Sequence, residues 1–209
     1  MPLKRGIELI VGPMFCGKTE ELLRRLRRIE VTGKKFQLFK PTTDNRYSEN
    51  HVSTHNGSKM EGNLVENTFE LIKEYDKRIK VIGIDEFQFF DDQILEFILD
   101  KQYSHLFILS GLALNFRGEP FNFKNSKKHM GNLMPYARIT SLNAICNKCG
   151  EDNAEFTQRL INGKPASYDS PLILVGGSES YEARCLQHFY KPIKGEENKF
   201  LVKGKRVVL

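Results

Sequence analysis

The chain has 209 residues, enough for one domain with a buried core, or one domain and a small appendage. Its 40% hydrophobic and 28% charged content is that of an ordinary globular protein, and no run approaches the ~20 apolar residues that span a bilayer. The net charge of +6 suits nucleic acid or a phosphate-rich substrate, but the basic residues are spread out, with one tight cluster at Arg24, Arg25, Arg27 and Arg28. Met1 to Arg5 run into the first apolar segment without a signal-peptide pattern, so a cytoplasmic location is expected. Gly6 to Val11 reads as a short buried strand, followed by a glycine loop and a helix from about Lys18. Leu22, Leu23, Leu26 and Ile29 share one face of that helix, and the four arginines fall on the others as a solvated surface. Phe36 to Lys40 reads as a second strand, with a polar loop after it through Asp44, Arg46 and Tyr47. Val81 to Asp85 has the look of a central parallel strand, Asp91 to Lys101 has helical periodicity, and His105 to Ser110 reads as another buried strand.

Strands alternating with helices predict an α/β fold with a parallel sheet flanked by helices. After Gly111 the pattern changes. The Gly-, Asn- and Lys-rich stretch from Phe116 to Leu133 has no period, and a lid is expected over 117–133. Near Ala144 the composition shifts again, to short strands and cysteines. The expected organisation is an α/β domain over 1–143, a cysteine-bearing domain over 144–191 and a loose polar tail over 192–209.

Gly12-Pro13-Met14-Phe15-Cys16-Gly17-Lys18-Thr19 fits the pattern G-x-x-x-x-G-K-[ST], after a strand and before a helix, where its mechanism requires it. Glycines let backbone N–H groups turn toward phosphate oxygens, and the helix N-terminus adds positive potential. Lys18 reaches the outer phosphates of a nucleoside triphosphate, and the Thr19 hydroxyl can ligate Mg²⁺. Asp85 and Glu86 close an apolar strand, where one carboxylate can hold the metal and the other take a proton from an attacking hydroxyl. Cys16 has two readings. At a helix N-terminus beside Lys18 its thiol is favoured as thiolate; packed inward it is a small apolar residue.

Cys146-x-x-Cys149 and Cys185-x-x-His188 form two half-sites, whose three thiols and one imidazole suit a closed tetrahedral Zn²⁺ site of structural type. Such a site would staple the Gly150 to Arg184 loop where the local core is thin.

With these residues in hand, the chain resembles the type II thymidine kinases, the cytosolic family with a zinc-bearing lasso. The resemblance covers about residues 6 to 191 and rests on GPMFCGKTEELLRR, DNRYS, IGIDEFQFF, FRGEPF, CNKCGEDNAEFTQR and VGGSESYEARCLQHFY, in that order. It implies a fold in which a P-loop parallel sheet carries a small zinc-stapled lasso domain. It implies transfer of the ATP γ-phosphate to the 5′-hydroxyl of thymidine, and of deoxyuridine too. Gly12 to Thr19, Arg46, Asp85, Glu86, Phe87 and Gln88 would serve ATP and its phosphates, with Mg²⁺ held through Thr19 and Asp85. Glu86 would be the general base. Met14, Phe89, Leu112, Phe116 and Phe121 would line the nucleoside pocket, while Tyr181 and the backbone of Ile173, Leu174, Val175, Gly176 and Gly177 would grip the base. The resemblance further implies a homotetramer, feedback by dTTP, and neither a nucleic-acid nor a membrane partner. Three positions depart from the family's habit: Cys16 stands for Ser, Ala113 for Asp, and His188 for a cysteine in the zinc set. Two other classes of function fit parts of the pattern. One is a P-loop ATPase acting on nucleic acid; the other is a non-catalytic nucleotide-binding regulator disabled at Ala113.

Overall fold

The computed structural model describes residues 5–42, 51–53, 59–174 and 180–209. It divides into two compact units. The first comprises Met1–Val11, Lys18–Gly111 and Phe121–Ser141; the second comprises Gly12–Gly17, Leu112–Pro120 and Leu142–Leu209.

In the first unit the chain runs through β1 (Gly6–Val11), α1 (Lys18–Val31), β2 (Gln37–Pro41), a small antiparallel hairpin of β3 (His51–Ser53) and β4 (Lys59–Glu61), and β5 (Asn63–Val65). It continues through α2 (Thr68–Glu74), β6 (Val81–Ile84), a 3₁₀ turn at Phe87–Phe89, α3 (Gln93–Lys101), β7 (Leu106–Gly111), a second 3₁₀ segment at Met130–Tyr136 and β8 (Ala137–Ser141). Among the described residues, six strands pair in the order β5-β2-β6-β7-β1-β8, every pair parallel. This is the α/β class that the alternating apolar runs predict.

The runs become central strands because both faces of the sheet are covered. Every residue of β6 and β7 is buried. α1 lies on the sheet through Leu22, Leu23 and Leu26, each fully buried and worth about 2 kcal/mol of apolar transfer. Gly83 makes that approach possible, since a Cβ there would stand 2.9 Å from one Leu26 methyl and 3.1 Å from a Leu38 methyl. Glu20 and Glu21 in the first turn of α1 and Arg28 in the last complement the helix dipole. Two of the clustered arginines are tied down on this surface. Arg24 and Arg25 both pair with Glu21, and Arg25 also bonds Glu8 and the Thr140 hydroxyl. α2 begins at Asn67, whose side chain accepts the Glu70 N–H at 3.0 Å.

The second unit carries shorter, antiparallel pairings. These are β9 (Ala144–Ile145) with β10 (Asp152–Ala154), and β11 (Phe156–Ile161) between β12 (Lys164–Pro165) and β13 (Tyr181–Arg184). Residues 192–209, expected as a loose tail, fold instead: β14 (Lys191–Pro192), β15 (Lys199–Val202) and β16 (Lys205–Val208) form an antiparallel sheet. Its polar composition hid an alternation that buries Phe200, whose ring meets Tyr190 edge-on at 6.1 Å. The stretch expected as a lid is divided, with Leu112–Pro120 in the second unit and the residues from Phe121 in the first. Short bridges, Leu114 to Pro120 and Asn122 to His129, hold its two parts.

Candidate active site and metal centre

In the first unit, β6 delivers Asp85 and Glu86 just past its last residue. Asp85 is only 2% exposed, and a buried carboxylate has to be met by donors. The Thr19 hydroxyl, in the first turn of α1, lies 3.2 and 3.1 Å from its two oxygens, and the Ser110 hydroxyl, near the end of β7, donates to Oδ1 at 2.5 Å. The Asp85 N–H donates to the Phe39 carbonyl at 2.9 Å, which continues the β2–β6 pairing by one rung. Lys18, the first residue of α1, is buried as well.

Glu86 adopts a left-handed backbone (φ 49°, ψ 41°) that costs a non-glycine residue about 1–2 kcal/mol. That conformation turns the chain from strand into the Phe87–Phe89 turn. The half-buried Glu86 carboxylate accepts a 2.6 Å hydrogen bond from Gln88 Nε2, and Phe87 and Gln88 are themselves buried. Phe89 meets the Phe121 ring edge-on at 5.7 Å.

In the second unit, the loop Gly12–Gly17 has its own strained residue, Phe15, at φ 68°. Alternating backbone conformations of this kind turn N–H groups toward one point, as anion sites need. The Met14 N–H donates to the Thr157 hydroxyl of β11 at 2.9 Å. Gly12 has no room for a side chain: a Cβ there would strike the Leu142 carbonyl oxygen and stand 2.6 Å from the Cys16 sulfur. Cys16 packs against the small residues Ala144, Cys146, Ala154, Ala183 and Cys185, which is the inward-packing alternative of its two readings. Phe116 is buried beneath the guanidinium groups of Arg159 and Arg117, at 4.2 and 5.2 Å from its centroid. Near Ala113, Asn115 organises the turn, its side-chain oxygen accepting the Arg117 N–H at 2.8 Å.

Cys146, Cys149, Cys185 and His188 converge, with their ligand atoms all within 4.8 Å of one another. Cys185 Sγ is 3.2 Å and Cys146 Sγ 3.8 Å from His188 Nδ1, and the Cys149 and Cys185 sulfurs are 4.0 Å apart. Thiolates 2.3 Å from a tetrahedral centre stand about 3.8 Å apart, so the donor set fits zinc. Each half-site is a turn closed by its own backbone: Gly150 N–H to the Cys146 carbonyl, and His188 N–H to the Cys185 carbonyl. Burial disfavours the Cys146 thiolate, but N–H groups of Cys185, Cys149 and Lys148 more than offset it and hold the thiol at about 6. Arg184, buried against Glu182, donates to the His188 carbonyl at 2.9 Å and fixes that turn from behind.

The family model for thymidine kinase matches residues 5–189. The chain belongs to the thymidine kinase family. It is a transferase that phosphorylates thymidine with ATP, and the match does not favour the reading as a P-loop ATPase acting on nucleic acid. Among the described residues, no helix is long and apolar enough to cross a membrane.

The residues expected to serve phosphate are shared between the units: Gly12 to Gly17 lie in the second, and Lys18, Thr19, Asp85, Glu86, Phe87 and Gln88 in the first. Of the expected nucleoside pocket, Phe89 and Phe121 lie in the first unit, and Met14, Leu112, Phe116, Ile173, Leu174 and Tyr181 in the second. Arg46, Val175, Gly176 and Gly177 lie outside the described residues. Three side chains escape sequence reasoning. Ser110 had one signal, a hydroxyl ending an apolar strand. Thr157 and Arg159 had none, because polar residues in a short antiparallel strand read as its solvent face.

Proposed function

We propose that Glu86 takes the proton of the thymidine 5′-hydroxyl while Gly12 to Thr19 hold the phosphates of ATP. The observation that carries this reading is the pair of adjacent carboxylates with opposite surroundings. Asp85 is buried and bonded by two hydroxyl groups, whereas Glu86 is half-buried, set apart by a strained backbone and oriented by the Gln88 amide. A buried carboxylate bonded by hydroxyl groups is suited to holding charge in place, and a less buried, oriented one is suited to proton transfer. Thr19 and Asp85 would hold Mg²⁺, which when bound neutralises charge on the phosphates. Lys18 and Arg46 would balance the charge that spreads over the γ-phosphoryl oxygens, and Phe87 and Gln88 would support the carboxylates from behind.

Phe89, Phe116, Phe121, Met14 and Leu112 would wall the nucleoside, with Tyr181 and the backbone from Ile173 to Gly177 holding the base. The four-ligand cluster would carry a structural Zn²⁺, with the lasso spanning 144–191, the ATP-binding domain 1–143 and a lid over 117–133. Phosphorylation of deoxyuridine, feedback by dTTP, a cytoplasmic homotetramer and the lack of nucleic-acid and membrane partners complete the reading, on the family resemblance. Glu86→Gln tests its centre. Turnover should fall about a hundredfold or more while ATP affinity stays within about twofold. Turnover near the wild-type rate would remove Glu86 from this role.

A further inference from the structure

Arg159 is a cation buried to 2% exposure, and among the described residues no carboxylate pairs with it. Its donors go elsewhere. Nε and Nη2 both donate to the Tyr181 hydroxyl oxygen, at 3.2 and 2.6 Å; Nη2 also reaches the Leu172 carbonyl at 3.0 Å, and Nη1 donates to the Pro171 carbonyl. The guanidinium plane covers the Phe116 ring. This placement follows from register, since Arg159 on β11 stands directly opposite Tyr181 on β13.

Burying a cation is costly, and a neutral cross-strand pair would join the two strands at less expense. What a guanidinium adds is a rigid fork that binds several acceptors at fixed angles. Because the Tyr181 oxygen receives two N–H donors, its own proton is directed outward. The hydroxyl donates to the Leu174 carbonyl at 2.7 Å. One side chain thus sets the backbone at Pro171 and Leu172 directly and at Leu174 through Tyr181, and it backs the Phe116 ring.

We propose that Arg159 is a positioning residue for thymidine: it holds the backbone from Pro171 to Leu174, where the base-gripping segment begins, without touching substrate. This rests on the reading that Phe116, Tyr181 and the Ile173 to Gly177 backbone surround the base. A positioning role predicts a loss confined to one substrate. In Arg159→Lys, which keeps the charge and loses the fork, the thymidine KM should rise about tenfold or more, with the ATP KM within about twofold. One zinc per chain should be retained. Arg159→Gln is measured alongside, so that one folded variant suffices. The effects of Arg159→Lys and Tyr181→Phe should be less than additive, since both break the same chain of bonds. An unchanged thymidine KM in Arg159→Lys, with Tyr181→Phe impaired, overturns the inference alone. An unchanged thymidine KM in both variants overturns the reading of the segment as well. Parallel rises in both KM values with loss of zinc would mark Arg159 as merely structural and also overturn the proposal.

Discussion

The two units solve the problem of burying a chain in different ways. The first is a parallel sheet whose strands β6 and β7 are buried throughout and whose helix α1 adds three buried leucines. Its cohesion is largely non-directional, and Asp85, Ser110 and Thr19 form a polar group at one strand end. The second buries fewer large apolar side chains, among them Phe116, Phe189 and Phe200. The cluster behind its metal ligands consists of alanines and cysteines, and its largest fully buried side chain is Arg159. Directional bonds hold it: a four-ligand cluster, an arginine fork, and Asn147, which accepts the Ala183 N–H at 2.8 Å. An apolar core tolerates small losses by relaxing around them, whereas a directional scaffold loses its geometry when one node goes.

Removing zinc should separate the two most sharply, because a structural site contributes on the order of 10 kcal/mol to the fold that presents it. Chelation should strip hydrogen-exchange protection from β9 to β13 and leave β1, β6 and β7 protected. Thiol titration gives the same contrast: no more than one reactive cysteine, Cys16, before chelation, and all four after it. Uniform loss of protection across both units would break the distinction.

The next effect in size lies in the sheet. Leu109 is fully buried in β7, and Leu109→Ala should destabilise the protein to urea by about 2–5 kcal/mol with its zinc content unchanged. Zinc loss accompanying that cavity would show that the units do not stand apart.

The smallest effect concerns surface charge on the first unit. Hydrogen bonding from Arg24, then Arg25, holds the Glu21 carboxyl at about 2, against partial burial. A depressed carboxyl stabilises the fold above its unfolded value of about 4.3, and that contribution fades as pH falls toward 2. Glu21→Gln should therefore cost at most about 1 kcal/mol at pH 7, with the gap to wild type narrowing below about pH 5. A gap that stayed constant with pH would assign the loss to packing.

The same contrast explains what the sequence discloses. The central strands and α1 are written in apolar periodicity, so Gly6 to Val11, Val81 to Asp85 and His105 to Ser110 could be read directly. The edge strands β5 and β8 could not, because an edge is half solvated and short; in β8, Arg138 and Ile139 are exposed. The convergence of the two metal half-sites was legible, and the Gly12 to Thr19 loop and the adjacent acids Asp85 and Glu86 could be singled out, because such patterns are written in fixed spacing. Arg159 was not. A charged residue in an antiparallel strand looks solvent-facing until the partner strand and the Pro171 to Leu174 carbonyls are in place. The tail failed for a related reason, since its one buried aromatic, Phe200, sits among lysines.

The position of β1 in the sheet has a consequence for synthesis. It lies between β7 and β8, so Ile7 pairs with Phe107 and Ala137, residues that leave the ribosome 100 and 130 positions later. At roughly 5–20 residues per second, β1 waits on the order of ten seconds for its second neighbour. Ile7, Leu9 and Ile10, all fully buried in the finished sheet, lack a complete set of strand neighbours through that interval. During synthesis β1 is thus open to aggregation and to chaperone capture, and slower translation of the 107–137 region would lengthen that interval.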